Sequence, residues 1–339
     1  MTMTLRRASK KDFINLKGYE KMFKKAIKLL KEKDNILIIA HVRPDGDSLG
    51  SSFALKLALE AIGKSVIVAC SSKVTKKYQI ITHLTDLKVT KKPDFVISVD
   101  VASTGQLGEE LSSYADKVNL VIDHHPTNQG FGIDENIIIP EAAATGEIIY
   151  DIIREMEIPI TKEIANFLYI ALMTDTGCFR YSNTTSKTLV VAAYLMEKGA
   201  DAYNLNKYMF DTMSIAGILL RREIYKNIEF FEDGKIAAIT ITQQVLDETH
   251  ATEDDVEAVT TIPRKIEGVL VGFAIKQIGE DVFKISARSG EEIDVSYICG
   301  TLGGGGHKRA SGCTIYGTAN EVKSEIIDAT LKYIRDNNI

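Results

Sequence analysis

His41, Asp45 and Asp47 fall within the stretch HVRPDGD. One imidazole and two carboxylates on so short a loop form a hard, mixed nitrogen and oxygen donor set. It suits Mn²⁺, Mg²⁺, Fe²⁺ or Zn²⁺ better than a thiol-loving ion. Asp100 closes a second apolar stretch, DFVISVD. A third stretch, NLVIDHH, runs into Asp123, His124 and His125, and Asp175 ends a fourth. His41, Asp45, Asp47, Asp100, His124 and Asp175 together supply four carboxylates and two imidazoles, the inventory for two divalent cations that share a carboxylate. Two ions about 3.5–4 Å apart hold a hydroxide and a phosphoryl oxygen together for in-line displacement at phosphorus. Asp100, alone at the tip of the middle stretch, is the natural shared ligand. Asp123 precedes His124 and would orient it from behind. That leaves His125 to face the substrate phosphate as a hydrogen-bond donor, or to act as an acid toward the leaving oxygen.

The elements that must carry these groups are legible as apolar runs. Residues 36–40, ILIIA, read as a buried strand of a parallel sheet, and Leu49, Phe53, Leu57 and Ile62 follow near helical spacing. Further strands are expected at 65–70, 94–100 and 119–123, and helices at 18–33, 144–157, 162–173 and 184–199. Between 71 and 92 the chain reads as loop and short helix. Parallel strands would bring the His and Asp tips to one edge of the sheet, where open α/β sheets bind ligands. A capping Asp explains one such tip. Three converging tips need another reason, because buried carboxylates without partners are costly.

The second half changes character. A hairpin about Asp233-Gly234 is expected within 228–242, a polar helical segment over 243–262, strands at 269–276 and 282–287 joined through Gly279, and a closing helix at 320–335. Helices on one face of such strands make a smaller α+β domain. Within it lies LGGGGHKRASG. Gly303, Gly304, Gly305 and Gly306 allow a backbone close to a ligand with amides turned toward an anion, and His307 and Arg309 add donors. The lysine-plus-hydroxyl ending of a Walker loop is missing. Arg264 and Arg288 are further candidates for phosphate, because arginine forks match phosphate geometry.

The expected fold is therefore α/β: an N-terminal, mostly parallel, doubly wound sheet with helices on both faces, a helical linker, and a smaller C-terminal α+β domain with a mixed sheet. The boundaries read as a basic leader over 1–18, a catalytic domain over 19–200, a linker over 201–226 and the second domain over 227–339. A chain of 339 residues accommodates two domains. Its formal charge of −5 argues against a broad basic face for long duplex nucleic acid. Cys70, Cys178, Cys299 and Cys313 form no CxxC pair and read as reduced, unpaired thiols of a cytoplasmic protein. No run of about eighteen apolar residues would span a membrane.

These residues carry a family resemblance. The chain resembles the DHH phosphoesterases, named for the tripeptide that stands here as Asp123-His124-His125, with His41-x3-Asp45-x-Asp47, Asp100 and Asp175 as companion signs. GGGGHKRASG resembles the signature of the DHH-associated C-terminal domain. Within the superfamily the length and the small second domain look like the nano-RNase subgroup, bifunctional oligoribonucleases that also remove the 3′-phosphate of 3′-phosphoadenosine 5′-phosphate. The resemblance implies that His41 and Asp45 hold one Mn²⁺, that Asp47, His124 and Asp175 hold the other, and that Asp100 bridges, with Mg²⁺, Co²⁺ or Fe²⁺ as alternative cations. It places His125 near the scissile phosphate. Arg264, Arg288, Gly304, Gly305, Gly306, His307 and Arg309 would bind the nucleotide from the second domain, across a cleft. Partners would be short RNA, dinucleotides and 3′-phosphoadenosine 5′-phosphate, with no membrane and no long duplex, and a homodimer is compatible with this reading.

Three other readings compete. One is a phosphodiesterase for cyclic or linear di-adenosine nucleotides. Another is a pyrophosphatase of the same superfamily, whose second domain lacks the glycine signature. The third is a non-catalytic nucleotide-binding protein, which should have lost at least one of the six ligands.

Overall fold

A computed structural model describes residues 16–339, with side chains from Met22 onward except Ile80 and Ile81. The leader read over 1–18 lies outside the described residues as far as residue 15. The chain forms two compact units, the first ending at Thr212 and the second running from Met213 to Ile339.

The first unit contains α1 (Leu16–Glu32), β1 (Ile36–Ala40), α2 (Gly46–Ala61), β2 (Val66–Ala69), α3 (Lys76–Thr82), β3 (Phe95–Val99), β4 (Leu120–Asp123), β5 (Glu135–Ile138), α4 (Thr145–Glu155), α5 (Lys162–Asp175), α6 (Ser186–Glu197) and α7 (Ala202–Asn206). Its five strands are all parallel, in the order β2-β1-β3-β4-β5. The chain therefore leaves β1 toward one edge and returns to lay β3 on its other side. That reversal creates a switch point outside the carboxyl ends of β1 and β3.

One face of this sheet is covered by long helices, with Phe23, Leu30, Leu49, Leu55, Ile153 and Leu168 packed on alternate strand residues such as Ile36 and Ile38. On the other face Leu37, Ile39, Val96 and Val121 meet Leu107 and Leu111, which come from two 3₁₀ turns, Thr104–Leu107 and Glu109–Tyr114. Four strands carry the buried runs expected of them. The fifth, β5, was not expected: it opens on the polar Glu135 and Asn136, and the apolar run that follows, Ile137 to Ile139, is only three residues long before Pro140.

Two glycines set how closely the site-bearing helices approach. A Cβ at Gly50 of α2 would lie 2.5 Å from the Phe167 carbonyl oxygen of α5, and one at Gly146 of α4 would lie 2.5 Å from the Ala171 Cβ. The starts of α2 and α4 and the last turns of α5 can thus come together, and each of those ends carries polar groups.

The second unit contains α8 (Ile215–Lys226), β6 (Glu229–Phe231), β7 (Ile236–Ile241), α9 (Gln243–Thr249), α10 (Glu253–Val259), β8 (Val271–Gly279), β9 (Val282–Ser289), α11 (Val295–Thr301), β10 (Gly305–His307), β11 (Ala310–Tyr316) and α12 (Ala319–Asp336). The sheet is mixed, ordered β10-β11-β9-β8-β7-β6, with β7 and β8 parallel and the other pairs antiparallel. Helices were expected on one face only, and they occupy both. Ile298, Val322 and Ile326 of α11 and α12 cover one face, while Leu220 and Ile224 of α8 and Val256 and Val259 of α10 cover the other. The reason lies in β7, where both sets of alternating residues are apolar, so neither side is left for water. Within the span read as a helical linker, α8 packs on this sheet.

The glycine run also differs from its reading as an amide nest. Gly305-Gly306-His307 is the edge strand β10, paired in register with Gly312, Ser311 and Ala310, and Lys308-Arg309 form the two-residue turn.

Candidate metal centre

The carboxyl ends of β1, β3 and β4 deliver His41, Asp100 and His124 to the switch point. The start of α2 adds Asp45 and Asp47, and the end of α5 adds Asp175. Asp45 caps α2, accepting the Ser48 amide at 3.0 Å. Asp47 is 1% exposed and sits at the amino end of α4, whose N-cap residue, Ala144, has no side-chain oxygen. Its two oxygens accept the Thr145 amide at 2.7 Å and the Gly146 amide at 3.0 Å, and Ser51 donates its hydroxyl at 2.8 Å. A carboxylate from one helix thus satisfies the orphan amides of another. Asp100 is 2% exposed and has a left-handed backbone, φ +61°, just beyond β3. Its amide donates to Ile122 at 2.9 Å and its Oδ1 accepts the Thr145 hydroxyl at 2.9 Å.

The two histidines at the centre are oriented from behind. His41 Nδ1 lies 2.9 Å from the Val42 carbonyl and His124 Nδ1 lies 3.1 Å from that of Ala142, so each Nδ1 carries the proton and donates it. Each Nε2 is then left with its lone pair facing carboxylates. His41 Nε2 lies 3.6 Å from Asp45 Oδ1 and 3.7 Å from Asp100 Oδ2. His124 Nε2 lies 3.8 Å from Asp47 Oδ2, 3.8 Å from Asp100 Oδ1 and 3.6 Å from Asp175 Oδ2. These separations are too long for hydrogen bonds. They match two ligand atoms each about 2.1 Å from one shared ion. Ligand atoms fall into the groups His41–Asp45–Asp100 and Asp47–His124–Asp175, with Asp100 turning one oxygen toward each, and a third group, Asp100–His124–His125, overlaps them. The donor set fits two hard divalent cations.

Asp123 was expected to orient His124. It holds His125 instead: its Oδ1 accepts His125 Nδ1 at 2.7 Å, and its Oδ2 accepts the Asn128 side-chain amide at 2.7 Å. Only the backbone amide of His124 reaches it, at 2.8 Å. The ring of residue 124 turns to Ala142 instead. His125 therefore presents its free Nε2 and is half-buried. Residues the sequence did not single out complete the shell: Thr145, Asn128, and Asn183, which donates to the carbonyls of Ala143 and Asp175 at 2.9 and 3.2 Å. Thr145 and Gly146 had one sequence signal, a helix start with no capping side chain of its own.

Charge at the centre is uncompensated. Burial, then repulsion from Asp47, Asp45, Asp123 and Asp175, holds the Asp100 carboxyl well above the ordinary carboxylate range. Burial, with Asp175 and Asp45 adding to it and His124 opposing, pushes Asp47 up to about 7. Burial opposes the charged form of His41, but Asp45 outweighs it and the imidazole rises. Hydrogen bonding to Asp123 raises His125. Each raised group binds its proton more tightly folded than unfolded, so its contribution to stability is full below the unfolded value and is lost as pH rises through the folded one. The chelated protein should therefore melt lower at pH 8 than at pH 5.5, by ~5 °C or more. Saturating Mn²⁺ should raise the melting temperature, and more at pH 8. Scanning calorimetry with and without chelator checks both, and an apo melting temperature flat across this window would contradict the charge balance.

In the second unit Gly272, Arg288, Ala310 and His307 are register partners across β8, β9, β11 and β10. Directly opposed residues share a face, so Arg288 and His307 lie on one side with only Ala310 between them. Arg264, exposed, lies in the 3₁₀ turn Pro263–Lys265, whose backbone rests on Gly272: a Cβ there would lie 2.5 Å from the Arg264 amide. Arg309 is not brought to this group and instead pairs with Glu291 at 3.0 Å in the open. Cys299 and Cys313 are free thiols that do meet: a hydrogen bond between them draws Cys299 down to about 7 and pushes Cys313 up.

Residues 35–172 match the DHH family, N-terminal domain, and residues 233–336 match the DHHA1 domain. The bifunctional oligoribonuclease and PAP phosphatase NrnA of Thermus thermophilus is 32% identical over 304 residues, 88% of this chain and 90% of that protein. The chain belongs to the DHH phosphoesterase family. A probable bifunctional oligoribonuclease and PAP phosphatase NrnA of Streptococcus mutans is 27% identical over 299 residues, 88% of this chain and 94% of that protein. Among solved structures, an exopolyphosphatase-related protein from Bacteroides fragilis superposes with a TM-score of 0.86 at 25% identity, covering 94% of this chain and 98% of that one. This DHH chain carries the parallel sheet flanked by helices and the mixed C-terminal sheet expected of it. Among its described residues no helix is long and apolar enough to cross a membrane.

Proposed function

We propose that the chain is a two-cation phosphodiesterase that cuts short oligoribonucleotides and dinucleotides to nucleoside 5′-monophosphates and removes the 3′-phosphate of 3′-phosphoadenosine 5′-phosphate. The observation that carries the reading is the division of six donors into two groups with Asp100 turned to both. His41, Asp45 and Asp100 would hold one cation, and Asp47, Asp100, His124 and Asp175 the other. Bound there, two divalent cations, Mn²⁺ foremost, would neutralise charge building on the phosphoryl oxygens and acidify the attacking water. The NrnA relatives, which match over most of this chain, support the substrate class.

The chain's own residues supply the rest. His125, its ring fixed through Nδ1 by Asp123, would as the imidazolium give its Nε2 proton to the leaving oxygen and be left neutral with Nδ1 still bonded to Asp123. Arg288 and His307, on one face of the second sheet, bind substrate phosphate or sugar, and Arg264 joins them from its turn. Arg309, engaged by Glu291, contributes little. The net charge of −5 suits a short substrate over a long duplex.

The test is a Mn²⁺-dependent assay on linear adenosine dinucleotide, 3′-phosphoadenosine 5′-phosphate and pyrophosphate. Release of 5′-AMP from the first two, with pyrophosphate untouched, is expected. Hydrolysis of pyrophosphate alone, or silence on all three with cation bound, would overturn the reading in favour of a pyrophosphatase or a binding protein. In the same assay Arg288→Ala should raise KM for the dinucleotide ~10-fold while kcat stays within ~3-fold, the pattern of lost uniform binding. An unchanged KM would remove Arg288 from the substrate face.

A further inference from the structure

We propose that Thr145 is the positioning residue for the His124 side of the two-cation centre, a role that rests on the two-cation reading above. His124 Nε2 faces one oxygen of Asp47 and one of Asp100, each at 3.8 Å. Thr145 donates to both of those same oxygens: its amide to Asp47 Oδ2 at 2.7 Å and its hydroxyl to Asp100 Oδ1 at 2.9 Å. Its hydroxyl bonds Asp100 Oδ1 and not Oδ2, the oxygen that faces His41 Nε2 at 3.7 Å. Asp45, on the His41 side, is held separately by the Ser48 amide. One residue therefore aims two ligand oxygens at one cation and leaves the other cation to different donors.

Thr145 is itself packed in place. It has no exposed surface, it is the first residue of α4, and the next residue, Gly146, is wedged against Ala171. Its backbone contact to Asp47 survives any side-chain replacement that keeps α4 in place, whereas its contact to Asp100 depends on the hydroxyl alone. Such donors fix the direction of a carboxylate lone pair, and losing one weakens metal affinity about 10–100-fold. Thr→Val keeps the shape and removes only the hydroxyl.

The experiment is a Mn²⁺ titration of the chelated protein, reading free Mn²⁺ by electron paramagnetic resonance, with H41A and H124A marking which ion belongs to which side. Wild type should bind two ions. T145V should bind one of them about 10–100-fold more weakly, the one that H124A also loses, with the other within ~3-fold. T145S should restore wild-type binding. T145A, which leaves space instead of a methyl group, should repeat the selective loss and guards against misfolding of T145V. Two wild-type-like ions in T145V and T145A would overturn the Thr145 role while leaving the two-cation reading standing. Equal weakening of both ions would overturn it too, since that is the signature of a general structural defect. Failure of wild type to bind a pair would instead overturn the two-cation reading itself.

Discussion

Asp100→Asn should lower kcat by at least ~10³ at saturating Mn²⁺ and, in the same protein, raise the melting temperature of the chelated form. The two effects have one cause. Asp100 is 2% exposed and surrounded by Asp45, Asp47, Asp123 and Asp175, so without cations its charge is a liability to the fold. Asparagine keeps the shape and can still accept the Thr145 hydroxyl through its amide oxygen, but it carries no charge to share between two ions. The lost charge stabilisation at phosphorus is several kcal/mol, which is three decades or more in rate. Steady-state turnover and calorimetry on the same preparation check the pair. Near-normal turnover would remove the shared-ligand role. A lower apo melting temperature would mean that Asp100 is held by partners rather than repelled by them.

The first unit was legible because each of the strands that carry site residues is a compact apolar run ending abruptly in His or Asp. Ile36–Ala40, Phe95–Val99 and Leu120–Asp123 are buried along their whole length, so hydropathy and site read out together. β5 escaped because it shows the opposite pattern. Glu135 and Asn136 are partly or fully exposed, and a strand at a sheet edge needs only its backbone to pair. The apolar run that follows, Ile137 to Ile139, is too short to stand out as a strand from hydropathy alone.

The second unit was less legible, and for a related reason. Four glycines in a row permit both a ligand-facing loop and a strand, and composition alone does not choose. The choice is made by β11, whose Gly312 and Ser311 pair with Gly305 and Gly306. In α8 the buried residues Gly217, Leu220 and Ile224 share the helix with the exposed Ile215, Ile218 and Tyr225, so its inward face is hidden in a helix that is apolar on several sides. At the candidate metal centre the six donor residues were legible as a candidate set, and the structure brings them to one place. Ring orientation was not: that Asp123 serves His125 and Ala142 serves His124 depends on the turn after β4, where two adjacent histidines point in different directions. The uncapped start of α4 marked Thr145 only as a residue with an unpaired amide; that its amide and hydroxyl serve Asp47 and Asp100 follows from contacts between different elements.

The role left open by the sequence, whether His125 donates to the phosphate or to the leaving oxygen, is decided by substrate dependence. If His125 is the acid, His125→Ala should lower kcat for a dinucleotide by about 10²–10⁴. The same variant should lose far less on a p-nitrophenyl phosphodiester, whose leaving oxygen needs no proton. If His125 instead only grips the phosphate, both substrates should suffer alike. The geometry favours the acid. Asp123 fixes the ring through Nδ1 at 2.7 Å and raises the imidazole, so the proton persists to higher pH than on an ordinary histidine, and the side chain, 31% exposed, leaves Nε2 free of protein hydrogen bonds among the described residues. Asp123→Asn tests the linkage from the other side. Removing the carboxylate removes the main cause that raises His125, so the alkaline limb of the kcat profile for the dinucleotide should move to lower pH while the p-nitrophenyl profile stays where it was. An alkaline limb that does not move, together with equal losses on both substrates in His125→Ala, would assign the leaving-group proton to another donor.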